Sequence, residues 1–163
     1  MFSKLIVAAL AVASLPGATA ADSVETKLVG SLRGDMIQVN TSSTTCGGNC
    51  PGGCDSCPCG DSSNDQDISA WCSKYSGWKQ SSCECIMRHE SGGNANAVNQ
   101  NVGGSQDVGL WQINTQNWGS CAGGRPPCSP SVNLDCAKKV FAWGDNTWKL
   151  WSTCTVCGVC GSN

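Results

Sequence analysis

Apolar residues fall into a few short stretches of this 163-residue chain, with long polar intervals between them. The first stretch is continuous rather than periodic: Lys4 precedes an apolar run from Leu5 to Leu15, followed by Pro16, Gly17 and the small residues Ala18, Thr19 and Ala20. A charged start, a short apolar segment and a small-residue end mark a secretory signal peptide, expected to be cleaved after Ala20. The run is too short for the roughly 20 residues that span a bilayer, so it does not read as a membrane anchor. From Asp65 onward the pattern takes a helical period. Asp65 or Asp67 caps a helix running to about Tyr75, with Ile68, Trp71 and Cys72 on one face. Ser81 with Glu84 three residues later forms a capping box for a second helix. In that helix Cys85, Ile86 and His89 fall near one stripe, and Gly92-Gly93 ends it. Beyond an Asn-rich interval, the segment Val102 to Ser105 separates short stretches, and Val108, Leu110, Trp111 and Ile113 follow. This predicts an antiparallel hairpin or a three-stranded sheet. A last long helix is expected from about Val132 to Trp143, apolar at Val132, Cys136, Val140 and Trp143. Residues 65–163 therefore predict an α+β domain, mainly helical with a small antiparallel sheet.

The stretches between signal and helices carry no period. Residues 21–45 are polar and Ser/Thr-rich, with an N-glycosylation acceptor at Asn40-Thr41-Ser42, and read as a pro-segment or stalk. Residues 46–64 open with Cys46, Cys50, Cys54, Cys57 and Cys59 and hold almost no apolar side chain to bury, so only cross-links can order them. A thiolate zinc site competes with disulfides here, but the single histidine lies far away and a secretory route is oxidising, which favours disulfides. An even 14 Cys allows up to seven bridges. Composition supports the same picture, since only 13% of residues are charged, against about 25% in ordinary soluble domains. That excludes a cytosolic multidomain enzyme. A formal charge of −2 lacks the basic excess of a nucleic-acid binder. The charge is uneven, near −5 over residues 21–70 and near +2 over residues 71–163, so the C-terminal part would be drawn weakly to an anionic bacterial wall. Asp135 is the only acid near the start of the long helix, which leaves no oxygen-rich set for calcium, and no metal is expected.

Two acids carry the candidate chemistry. Glu90 falls in the last turn of the second helix, where the negative end of the helix dipole disfavours a carboxylate. Asp107 lies 17 residues further on, across an Asn- and Gly-rich connection. Glycosidic hydrolysis uses two carboxyl groups in unlike environments, one protonated to donate to the leaving oxygen and one ionised to oppose positive charge on the sugar. On spacing alone the pair also fits a capped turn and a solvated loop acid. His89 points about 100° away from Glu90 on helical spacing and, without a third partner, reads as structural.

The surrounding residues add a family resemblance. The run from Cys85 through Glu90-Ser91, Gly104-Ser105-Gln106-Asp107-Val108-Gly109 and Gln112-Ile113-Asn114 resembles the active-site segment of C-type lysozymes. Shared features are the Cys five residues before the acid, the Glu-Ser pair, the Gly-Ser-x-Asp-x-Gly turn, the Gln-Ile-Asn strand and the 17-residue spacing. Cys136-Ala137-Lys138-Lys139, with Trp148, Trp151 and Cys154, looks like the long helix and late Trp pair of the same family. The two blocks cover residues 83–154, and nothing before about residue 65 is similar to it. The resemblance implies a lysozyme-like, disulfide-rich fold with Glu90 as general acid and Asp107 as nucleophile or charge stabiliser. It implies that Trp148 covers the acid, that Asn101 and Asn114 hydrogen-bond the ionised Asp107, and that Asn99, Gln112 and Trp118 line the substrate groove. It also implies a Cys85–Cys154 disulfide. Cys121, Cys128 and Cys136 are similar to the family's middle cluster with one partner missing, and Cys157 and Cys160 are then available to the Cys46 to Cys59 block. Two departures stand out: Val108 replaces a common aromatic, and the chain before Glu90 is too short for the family's first helix at full length.

The protein so implied is a secreted monomer, extracellular or in a digestive vacuole or lysosome. It would cleave the β-1,4 bond between N-acetylmuramic acid and N-acetylglucosamine in peptidoglycan, with no cofactor and no nucleic-acid or membrane partner. A lytic transglycosylase, in which one Glu does the acid and base work and the product is an anhydro sugar, is the nearest alternative; a second carboxylate in the Asp107 turn argues against it. A non-catalytic carbohydrate-binding protein on the same scaffold is the other, against which stands the presence of both acids. N-terminal sequencing of secreted protein is expected to begin at Ala21, and an intact Met1 would refute the signal-peptide reading.

Overall fold

The computed structural model describes residues 46–48, 50 and 54–163; the signal peptide, residues 21–45 and Asn40 lie outside the described residues. After a 3-10 turn at Cys46–Gly48 come α1 (Ile68–Cys72), α2 (Gln80–Glu90), β1 (Val98–Gln100), β2 (Gln106–Val108) and β3 (Ile113–Asn114). Then follow α3 (Thr115–Cys121), α4 (Pro130–Trp143) and α5 (Cys154–Cys157). The class is the expected α+β, with the helices around a three-stranded antiparallel sheet of order β1-β2-β3.

Local chemistry sets most of these boundaries. Asp67 is the cap of α1, accepting the Ala70 N–H at 3.0 Å. That helix stops at Cys72, short of Tyr75, because the Trp78 indole N–H takes the Cys72 carbonyl at 2.9 Å. The Ser81–Glu84 capping box does not form: α2 begins two residues earlier, which draws Ser81 inside the helix and leaves Lys79 as a cap without a side-chain bond. Gln80 instead reaches Glu84 Oε1 at 2.8 Å and Ser69 Oγ at 2.9 Å, tying α1 to α2. In α4, opened by a proline suited to a first turn, the buried face runs through Asn133, Leu134, Cys136, Ala137, Val140 and Phe141. Val132 and Trp143, expected inside, are 37% and 49% exposed. The apolar pattern misplaced the stripe because a polar residue, Asn133, occupies its centre.

Five aromatic side chains pack together in the core. Trp148 lies 4.9 Å from Phe141, 5.0 Å from Trp151 and 5.1 Å from Trp78, centroid to centroid, and Trp78 reaches Trp111 at 5.8 Å. The tilted and edge-on geometries are those that ring quadrupoles favour.

All 14 Cys are joined in seven disulfides. The expected Cys85–Cys154 pair is not among them: Cys85 bonds Cys157, with Cα atoms 5.9 Å apart, and Cys154 bonds Cys160. The single turn of α5 carries Cys157 to α2, and Gly158, at φ 67°, reverses the chain so that Cys160 returns to Cys154. In the middle cluster Cys121 pairs with Cys136, and Cys128, rather than Cys157 or Cys160, takes a Cys from the N-terminal block, Cys59. Within the block the pairs are Cys46–Cys57 and Cys50–Cys54. The block then lies along the connection into β1 and across β2. Asn94 Nδ2 donates to the Gly47 carbonyl (2.6 Å), Asn96 Nδ2 to Ser62 O (2.9 Å) and Gln106 Nε2 to Ser56 O (3.1 Å).

Replacing Cys59 and Cys128 together by Ser opens a crosslinked loop of sequence separation 69. The chain-entropy account gives that bridge about 4 kcal/mol. Urea unfolding is expected to shift to a lower midpoint in the double variant, and an unchanged midpoint would show that the block does not brace the domain.

Candidate active site

Glu90 is the last residue of α2 and Asp107 the middle residue of β2. Two buried polar side chains fix one against the other. Ser91, the next residue after Glu90, donates to Leu110 O at 2.8 Å and accepts the Gly93 N–H at 3.1 Å, so the end of α2 is tied to the chain that follows β2. Asn133, fully buried on α4, donates to Val108 O at 2.9 Å and to Pro127 O at 2.8 Å and accepts the Trp111 N–H at 2.9 Å. Every polar atom of that amide is used, as burial demands. Gly109 sits between these contacts at φ 78°, and a Cβ there would lie 2.3 Å from Asn133 Nδ2, so the turn needs glycine for both its backbone and its space.

The carboxyl pair lies on a cleft with two arms. Glu90, Asp107, Gln112 and Ser152 line both. The first arm, of about 250 Å³, adds Asn114, Asn117, Val140, Leu150 and Trp151. The second, of about 370 Å³, adds His89, Val98, Asn99 and Asn101. Space on both sides of the acids suits a polymer that passes through.

Asp107 is surrounded by amide donors. Asn114 Nδ2 reaches its Oδ1 at 2.7 Å, while Asn101 Nδ2 and Asn99 Nδ2 reach its Oδ2 at 2.8 and 3.4 Å. Sheet register supplies two of them, since Asn99 and Asn114 are the cross-strand partners of Asp107 on β1 and β3. Asn114 also caps α3: its Oδ1 accepts the Gln116 N–H at 3.0 Å, which commits the oxygen to the helix and turns the NH2 toward Asp107. Donors alone suit a carboxylate, which only accepts.

Glu90 has the opposite surroundings. Burial pushes its carboxyl above the ordinary glutamate value of 4.5; the Thr153 hydroxyl, donating to Oε1, pulls the other way, and the Asp107 charge adds to the rise. With Thr153 donating to one oxygen, the other is left for the proton.

Several expected groove residues lie elsewhere. Trp148 is fully buried in the aromatic cluster and lines neither arm; Trp151, three residues on, is the tryptophan beside Glu90, its indole N–H donating to Trp111 O at 2.9 Å. Trp118 is also buried, with its indole N–H on Ile113 O at 2.9 Å, and presents no face to the cleft. Gln112 lines both arms, but its amide is committed to Ala97 O (3.0 Å) and Gly109 O (2.9 Å), which hold it at φ 48°, a left-handed conformation costly for a non-glycine residue. His89, read as structural, is exposed on the wall of the second arm with no hydrogen-bond partner among the described residues. One of its ring nitrogens and the sulfurs of Cys85 and Cys157 lie within 4.8 Å of one another, yet those sulfurs are bonded together and are not thiolate ligands. Asn117, Leu150, Ser152 and Thr153 were not anticipated. For Trp151 the signal was present in the Trp-x-x-Trp repeat; Thr153 carried none.

A family model described as a lysozyme-like domain matches residues 85–153. The chain is similar to lysozyme C of Ortalis vetula, at 35% identity over 94 residues that cover 47% of this chain and 71% of that protein. It is 34% identical to lysozyme C of Crax fasciolata, covering 47% of this chain and 71% of that protein. Lysozyme C-1 of Anas platyrhynchos is also 34% identical, with 47% of this chain and 63% of that protein covered. No solved structure matches the chain.

The raised Glu90 value has a consequence for stability. A carboxyl that holds its proton more tightly when folded contributes stability below its unfolded value and loses it as pH rises through the folded one. Glu90→Gln, which mimics the protonated form, should therefore melt like the parent in acid below 4.5 and above the parent at neutral and alkaline pH. Thermal melts across pH check this, and a parent more stable than the variant at high pH would contradict it.

Proposed function

The chain belongs to the lysozyme-like family, and from that membership we propose a specific reaction: hydrolysis of the β-1,4 bond between N-acetylmuramic acid and N-acetylglucosamine in bacterial peptidoglycan. The observation that carries the reading is the contrast within one cleft, where Glu90 is half-buried with a raised pKa and Asp107 accepts three amide N–H bonds.

In this reading Glu90 gives its proton to the glycosidic oxygen as the C1–O bond breaks, and the alcohol leaves neutral. Asp107 opposes the positive charge that develops on the sugar, either by field alone or by bonding to C1. Water then adds to C1 and returns a proton to Glu90, which restores both groups. Burial keeps Glu90 protonated and neutral at pH values where an ordinary glutamate has lost its proton. The amides hold the Asp107 carboxylate in place without neutralising it. The proposed setting is outside the cell or in a digestive vacuole or lysosome, with the enzyme acting as a monomer on wall polymer.

Mass spectrometry of products from purified peptidoglycan tests the proposal. Reducing ends with one water added per cleavage are expected, with activity falling at least about a hundredfold in Glu90→Gln and strongly in Asp107→Asn. Anhydro products, with Asp107→Asn still active, would replace hydrolysis by lytic transglycosylation. Wall binding without cleavage at any pH would leave only a carbohydrate-binding protein.

A further inference from the structure

We propose that His89 recognises a substrate carboxylate in the second arm of the cleft, so that the protein favours carboxylate-bearing over neutral N-acetylated polymer. The inference rests on the function proposed above and narrows its substrate class.

The cleft is short of positive charge. Neither arm is lined by a Lys or Arg, and the titratable groups on its walls are Glu90, Asp107 and His89. The elements around the second arm add none that face it: β1 and β2 carry only Asp107 and α5 carries no charge, while Arg88 and Glu84, on α2 itself, line neither arm. A substrate unit with a free carboxylate, on a lactyl group that carries no peptide or on the stem peptide itself, would thus enter a channel walled by carboxyls. His89 is the one side chain there that can offer a cation or a ring N–H to it.

His89 is also free to act. It is exposed, its side chain makes no hydrogen bond among the described residues, and it stands one residue before Glu90 at the end of α2. The Cys85–Cys157 disulfide backs it, with a ring nitrogen within 4.8 Å of both sulfurs. That bridge joins α2 to α5 and fixes the helix turn from which the imidazole projects.

The test compares kcat/KM on peptidoglycan strands with kcat/KM on the same strands after methyl esterification of their carboxyls. Taking the ratio cancels effects common to both substrates. The wild-type ratio is expected to exceed that of His89→Gln on the order of fivefold, the scale of an exposed ion pair, with the difference mainly in KM. His89→Lys should restore the preference. An unchanged ratio in His89→Gln, or an equal loss of kcat on both substrates, would overturn the inference and leave the proposed hydrolysis standing. If the wild type cleaves neither substrate, the hydrolysis itself fails; binding of the two polymers to Glu90→Gln protein, with and without His89→Gln, then decides the role of His89 by the same ratio.

Discussion

Asp107 belongs to a sheet of two three-residue strands and one two-residue strand. Ladders this short do not hold themselves in water. Their rigidity has to come from outside, and much of the molecule is arranged to supply it. Asn133 grips the turn after β2 from the helical side, and Ser91 ties the same turn to the end of α2. From the other side the Cys-rich block is bonded to Asn94, Asn96 and Gln106 and joined by disulfide to Cys128. A segment with almost no apolar side chains thus orders a sheet that is also too small to order itself. Cross-links and buried hydrogen bonds replace the core that neither possesses.

The same junction creates the electrostatic contrast. Glu90 ends a helix whose Ile86 and Met87 are buried in the core, with Trp151 beside it in the cleft, so its surroundings favour the neutral form. Asp107 stands on a strand whose neighbours in register are Asn99 and Asn114, so its surroundings are donors. Neither property needs a special residue at the acid itself. Each follows from which element carries the acid and what that element packs against. A single change at Ser91 or Asn133 would move one acid relative to the other without touching either.

Much of this was legible in the sequence. The Asp67 cap, the end of α2 just before Gly92-Gly93 and the three short strands follow from residue chemistry at fixed offsets. The two acids and the amides at Asn101 and Asn114 follow from local spacing together with the family resemblance, and the fold brings them to one cleft. What was not legible depends on packing. Trp148 and Trp151 are both buried, and only the fold decides which borders Glu90. Cysteine partners depend on where α5 turns back, which no spacing states. The face of α4 was misread because its central buried residue is an asparagine bound to backbone rather than an apolar side chain. α3, rich in Thr, Gln, Asn and Gly, lacks an apolar period and depends on its Asn114 cap.

Burial at the end of α2 sets Glu90 apart as the acid that keeps its proton. A carbon-13 NMR titration of the Glu90 side-chain carboxyl, assigned by comparison with Glu90→Gln, measures this directly. A midpoint above the ordinary value of 4.5 is expected. A midpoint at or below that value would contradict it, because the two carboxyls of the cleft would then no longer differ in the way the proposed chemistry requires.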